Sequence, residues 1–281
     1  MLPFRHILFP LDYSPRCRDA AAAVAKMADH FGASITVLHS YQVPVIIYGE
    51  FMPISMPAPD DWQAIAEKTI ARFVTEVFPG RKVTTIVEAN DPAAAIRKTV
   101  QRVGADLVMM PASGHGPVRR LLLGSVTAKV LHDVGCPVWT AHDVMNGPPY
   151  KSIVCAVSSG AEASDVIHAS ALVAKAFDAK LTVMHAVDSR SAVLETEYGP
   201  YRKMLMDAAE NHLRGILRDQ GLDVPLSVWD GDVAGCIEQE AEKRGADLII
   251  TGRGHAHGLL GALWSHVNSI VRASHCPVLS L

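Results

Sequence analysis

Apolar residues along the chain fall into two alternating patterns. Short runs rich in β-branched side chains occur as HILFPL at 6–11, SITVLHS at 34–40, KVTTIVE at 82–88, DLVMM at 106–110 and PVWTA at 137–141, all of strand length. Between them lie stretches of helix length at 15–31, 61–78, 91–103 and about 125–134. Apolar strands alternating with helices predict a parallel sheet covered on both faces by right-handed crossovers. VPVIIYGEFMPISMPAPDD at 43–61 breaks the pattern, with four Pro, two Met and no period, and reads as a long loop that covers a site or mediates a contact.

The pattern then repeats. FRHILFPLDYS at 4–14 aligns with YKSIVCAVSSG at 150–160, a shift of 146, and the same shift carries Phe31, Val37 and His39 onto Phe177, Val183 and His185. GADLV at 104–108 matches GADLI at 245–249, a shift of 141, and Cys-Pro-Val at 136–138 returns at 276–278. The drift between these shifts is that of ordinary loop insertions. The halves join near MNGPPYK at 145–151, where Asn, Gly and two Pro interrupt both patterns. The fold expected is α/β: two tandem Rossmann-like domains, 1–146 and 147–281, each a five-stranded parallel sheet with helices on both faces.

Composition narrows the function classes. With 281 residues, 49% hydrophobic and 20% charged, the chain can bury two cores and is not disordered. Lys and Arg number 26 against 29 Asp and Glu, so the net charge of −3 provides no field for nucleic acid or anionic lipid. No apolar run approaches the ~18 residues of a membrane span, and MLPFRHILFPLD reaches Asp12 before a signal-peptide core can develop. Five Cys without C-x-x-C spacing read as buried thiols of a reducing compartment, so a cytoplasmic protein is expected, with neither nucleic acid nor membrane as partner.

In an open parallel sheet, ligands bind beyond the carboxyl ends of the strands where strand order reverses. After the first strand comes Pro10-Leu11-Asp12-Tyr13-Ser14; Asp12 could accept from a ligand amine or ribose hydroxyl, or Asp12 or Ser14 could simply cap the helix at 15–31. After the fourth comes PASGHGPVRRLLLGSVTAKV at 111–130, where Gly114, Gly116 and Gly124 precede Ser125 and Thr127 at the next helix start. Small residues let backbone N–H groups close on phosphate oxygens, and the helix start adds its positive end.

LFPLDYS, DLVMMPASGHG, LLLGSVT and the terminal Cys-Pro-Val strand together resemble the universal stress protein family, over essentially the whole chain and twice. The resemblance implies a tandem protein of adenine nucleotide alpha hydrolase-like fold that binds ATP, with or without Mg²⁺, or another adenine nucleotide, and acts in stress response. The family loop G-x2-G-x9-G-[ST] wraps the triphosphate while the acid after strand one sits at the adenosine. Carried over, the site comprises Pro10, Leu11, Asp12, Ser40, Pro111, Gly114, His115, Gly124, Ser125, Val126 and Thr127. Pro111 stands where the family has its first glycine, removing an N–H and fixing φ. His115, Arg119 and Arg120 could screen phosphate charge, or the arginines could be a solvated surface.

The second half departs further: Ser158 replaces the acid, the loop at 251–265 is one residue short, and Trp264 takes the place of Gly124. That site is expected to be degenerate, its half serving as a packing partner. Family members typically dimerise through the last strand, which implies that PVWTA and PVLSL pair within this chain as an intramolecular pseudo-dimer. A second copy of the chain is a further candidate partner. His255, His257, His266 and His275 could bind zinc, but His266 and His275 are read as nine residues apart on one helix with no carboxylate spaced to complete a site, so no metal residue is assigned. Alternatives to a nucleotide-binding regulator are a slow ATPase, and a nucleotide-free scaffold or binder of another small ligand. The ATPase reading lacks an obvious base or metal-binding acid, and no catalytic residue is assigned.

Overall fold

The computed structural model describes residues 4–42, 59–113, 123–142, 147–187, 199–253 and 264–281. Its helices begin and end where local chemistry dictates. Helix α1, Pro15–Phe31, starts because Ser14, in extended conformation, accepts from the Cys17 N–H and Pro15 presets the first turn; it stops at Gly32, whose φ of 65° is left-handed. Its buried residues Cys17, Ala20, Ala21, Val24, Met27 and Ala28 follow helical spacing. Helix α2 runs Pro59–Val77, so it takes in the last three residues of the stretch expected to be loop; 43–58 lies outside the described residues. Helix α3, Pro92–Val103, is capped by Asp91 and ended by Gly104, and α4 spans Ser125–Asp133.

Strands β1 (His6–Leu11), β2 (Ser34–Tyr41), β3 (Thr84–Ala89), β4 (Leu107–Pro111) and β5 (Val138–Ala141) alternate with these helices. The second half repeats the order with β6 (Ser152–Ala156), α5 (Ala163–Phe177), β7 (Lys180–Val187), α6 (Gly199–Asp219), β8 (Leu226–Asp230), α7 (Val233–Arg244), β9 (Leu248–Thr251), α8 (Trp264–Ala273) and β10 (Val278–Ser280).

The ten strands among the described residues form one sheet, ordered β3-β2-β1-β4-β5-β10-β9-β6-β7-β8. Pairing is parallel within each half, and the halves meet where β10 runs antiparallel to β5, with Leu279 opposite Trp139. The C-terminal strands therefore close each other's edge, as the resemblance implies. Thr140 pairs with Val278 and Val138 with Ser280, so the contact is self-complementary about Trp139 and Leu279.

Two continuous apolar layers sandwich the sheet. Ile7, Phe9, Leu107 and Met109 face one layer with α1, and Leu8, Val108 and Met110 face the other with α3. Each layer runs across both halves, through Tyr150, Ile153 and Phe177 in the first and Val154 and Ile249 in the second. At the junction Trp139 donates its indole N–H to the Tyr150 hydroxyl at 2.8 Å, both rings fully buried. Tyr150 packs edge-on to Phe177 at 5.0 Å, and Phe177 touches Phe31 of α1 at 5.2 Å.

Candidate functional site

The switch in strand order lies between β1 and β4, and a cavity of about 370 Å³ opens at their carboxyl ends. Its size is that of a small-ligand site. Pro10, Leu11 and Asp12 line it from β1, Ser40 from β2, Pro111 from β4, and Gly124, Ser125, Val126 and Thr127 from the start of α4. Nine of the eleven residues expected from sequence thus meet at one place, while Gly114 and His115, like Arg119 and Arg120, lie outside the described residues. Leu38, Ile96 and Met110 add an apolar wall.

The tip of β1 is a braced turn. Tyr13 sits at φ 60°, a left-handed conformation that costs a non-glycine residue energy, and Asp12 holds it by accepting from the Ser14 N–H at 2.9 Å. Of the two capping candidates, Ser14 caps α1, while Asp12 accepts from the N–H of Ser14 itself, outside the helix. Asp12 remains exposed at the mouth of the cavity. Beneath it the Cys17 thiol donates to the same Asp12 Oδ1 at 2.9 Å, and burial, followed by the Asp12 charge, pushes that thiol's pKa up. Burial also raises the Tyr13 phenol to about 12, so it stays protonated.

His39 and Cys17 line the cavity without having been expected there. His39 Nδ1 lies 2.9 Å from the Leu11 carbonyl; a carbonyl can only accept, so this nitrogen carries a proton and donates it. The signal was present, since His185 repeats the contact with the Val157 carbonyl at 2.8 Å.

The far end of the cavity is the start of α4. Its N-cap is Gly124, which has no side chain to accept from the first-turn N–H groups, in contrast to Ser14, Asp91 and Asp232 at α1, α3 and α7. A Cβ on Gly124 would stand 3.3 Å from Thr127 Oγ1 and 3.4 Å from the Ala112 carbonyl oxygen, a tight fit that a larger side chain would crowd further. The Thr127 hydroxyl is turned back onto the Pro111 carbonyl at 3.2 Å.

The sequence model of the universal stress protein family matches residues 3–142 and again 149–281. The chain belongs to the universal stress protein family. A universal stress protein of Thermus aquaticus is 32% identical over 135 residues, 48% of this chain and 96% of that one. One from Methanocaldococcus jannaschii is 28% identical over 145 residues, 48% of this chain and 80% of that protein. The crystal structure of a universal stress protein from Archaeoglobus fulgidus matches 98% of this chain and 95% of its own with a TM-score of 0.68 at 19% identity, which shows the shared fold.

The universal stress protein frame also places a cavity of about 530 Å³ in the second half, lined by Ser158, His185, Thr251, Gly252, Arg253 and His266 among others. Ser158 stands where Asp12 stands in the first half. Trp264 is the first residue of α8, and its side chain lies outside the described residues. Arg253, at the position of Ala112, crosses to the first half and donates to the carbonyls of Leu131, Val134 and Cys136. His255 and His257 are outside the described residues. α8 ends at Ala273, so His275 lies beyond the helix rather than on one helix with His266; it approaches Glu238 and Glu242 of α7, carboxylates brought near by folding rather than by spacing. That cluster is largely exposed, and such groups are common without an ion.

Proposed function

We propose that the first-half cavity binds an adenine nucleotide, ATP in the first instance, and that occupancy biases the contacts of a cytoplasmic stress-response regulator. The observation that carries this reading is the pairing, at one switch point, of Asp12 at one end of the cavity with the uncapped, glycine-led start of α4 at the other. A helix start of this kind favours an anion, and the apolar wall suits a flat base. Family membership supports the same reading through the motif residues retained here.

Residues 1–146 form the nucleotide domain in this reading and 147–281 the packing partner, whose site has lost its acid to Ser158. Binding rather than turnover is favoured because Asp12 is the only carboxylate among the described lining residues and is engaged with Ser14 and Cys17. Five free, buried cysteines support a reducing compartment. No helix among the described residues is long and apolar enough to cross a membrane.

Calorimetric titration with Mg-ATP tests the proposal. The parent chain binds, and Gly124→Trp, which copies the second half, does not while still unfolding cooperatively. Equal binding by both proteins contradicts the assignment of the site.

A further inference from the structure

We propose that the Ser113 hydroxyl is a phosphate-contacting group of the first-half site, supplying the donor that Pro111 removes from the corner after β4. The proposal rests on the nucleotide reading above and extends it to a side chain.

Ser113 lines the cavity and is only 1% exposed, yet its hydroxyl has no hydrogen-bond partner among the described residues. Folded chains satisfy nearly all buried polar groups because an unpaired one is destabilising. A hydroxyl left unpaired at the wall of a cavity is placed for a partner that arrives with the ligand.

Among the described residues, the neighbouring groups at this corner are already engaged. Pro111 has no N–H, and the Ala112 N–H is spent on the Ala141 carbonyl at 2.8 Å. The Gly124 N–H donates to the Ala112 carbonyl at 2.8 Å, and the Thr127 hydroxyl faces Pro111. Ser113 is the first residue past β4 whose side chain still has a proton to give. It stands against the start of α4, since a Cβ built on Gly124 would lie 3.4 Å from Ser113 Cα. No Lys or Arg occurs among the described lining residues, and of these Ser113 and the start of α4 are the groups that favour an anion.

The test titrates the full chain and its Ser113→Ala and Ser113→Thr variants with ATP and with adenosine, and follows the thermal unfolding of each ligand-free protein. For Ser113→Ala we expect ATP affinity to fall about tenfold, adenosine affinity to hold, and ligand-free Tm to hold or rise, because an unpaired buried hydroxyl has been removed. Ser113→Thr retains ATP affinity to within about threefold, because it keeps the donor. Unchanged ATP affinity in Ser113→Ala, beside a parent that binds ATP, overturns the proposal alone. So does an equal loss for ATP and adenosine accompanied by a lower Tm, which marks a structural role. A parent that binds neither compound overturns the nucleotide reading and this proposal together.

Discussion

In both halves a carboxylate just before the fourth strand grips the chain entering the first. Asp106 accepts from the N–H groups of Arg5 and His6, and Asp247 from those of Lys151 and Ser152. Asp91 and Asp232 cap equivalent helices, and His39 and His185 make the same main-chain contact. At the carboxyl ends of the strands the halves diverge. Asp12 faces Ser158, Pro111 faces Gly252 and Ala112 faces Arg253. Hydrogen bonds that satisfy the backbone hold the frame constant, because losing one leaves a main-chain group without its protein partner. The ends of the strands carry fewer such obligations, so one half could keep a cradle while the other turned the same corner into a brace between halves.

Volume has been exchanged as well. A Cβ on Gly252 would lie 2.8 Å from Val166 Cγ2, whereas the first half carries Pro111 with the smaller Ala20 at the matching helix position. A buried polar cluster has likewise shifted. Glu240 of α7 accepts from Ser227 at 2.8 Å, Trp229 at 3.0 Å and Arg244 at 2.8 Å, while its counterpart Thr99 leaves the first half to pair Arg102 with Glu88 at 2.6 Å.

The largest effect that would sharpen this contrast is expected at Arg253. Arg253→Met strands three carbonyls of the first half, and we expect a loss of about 3 kcal/mol in urea unfolding, against about 1 kcal/mol for Ala112→Gly, which only removes a buried methyl on the matching side. Gly252→Ala should cost about 2 kcal/mol by crowding Val166, and adding Val166→Ala should restore about half; simple additivity of the two losses would break the exchange argument.

The smallest effect is expected at Glu240. Burial would push its carboxyl up, but Arg244, Ser227, Trp229 and Lys243 outweigh it and hold its pKa below the ordinary carboxylate value. Its stabilisation is therefore fully present above about pH 4.3 and is lost as pH falls through the lower folded value. Glu240→Gln should cost about 1 kcal/mol at neutral pH and converge with the parent in acid, as measured by denaturation at a series of pH values.

Much of the fold was legible because its signals are local. Ser14-Pro15, Asp91-Pro92, Gly32 and Gly104 punctuate helices within a few residues of themselves, whereas the pairing of the two last strands was implied by the family resemblance. The first-half site was legible for the same reason, as two motifs at strand ends. Arg253 was not, since its carbonyl partners lie more than a hundred residues away in sequence, and the meeting of His275 with Glu238 and Glu242 is likewise a product of folding. The unpaired Ser113 hydroxyl leaves no sequence signal, because it depends on which groups its neighbours bond in the folded corner.

The most direct test of the contrast between the halves is the amount of adenine nucleotide bound per chain at saturation with Mg-ATP, measured by chromatography after denaturing the purified protein. One nucleotide per chain, lost in Gly124→Trp, is the expected result. Two per chain would show that the second half has kept its site, and none would contradict nucleotide binding altogether.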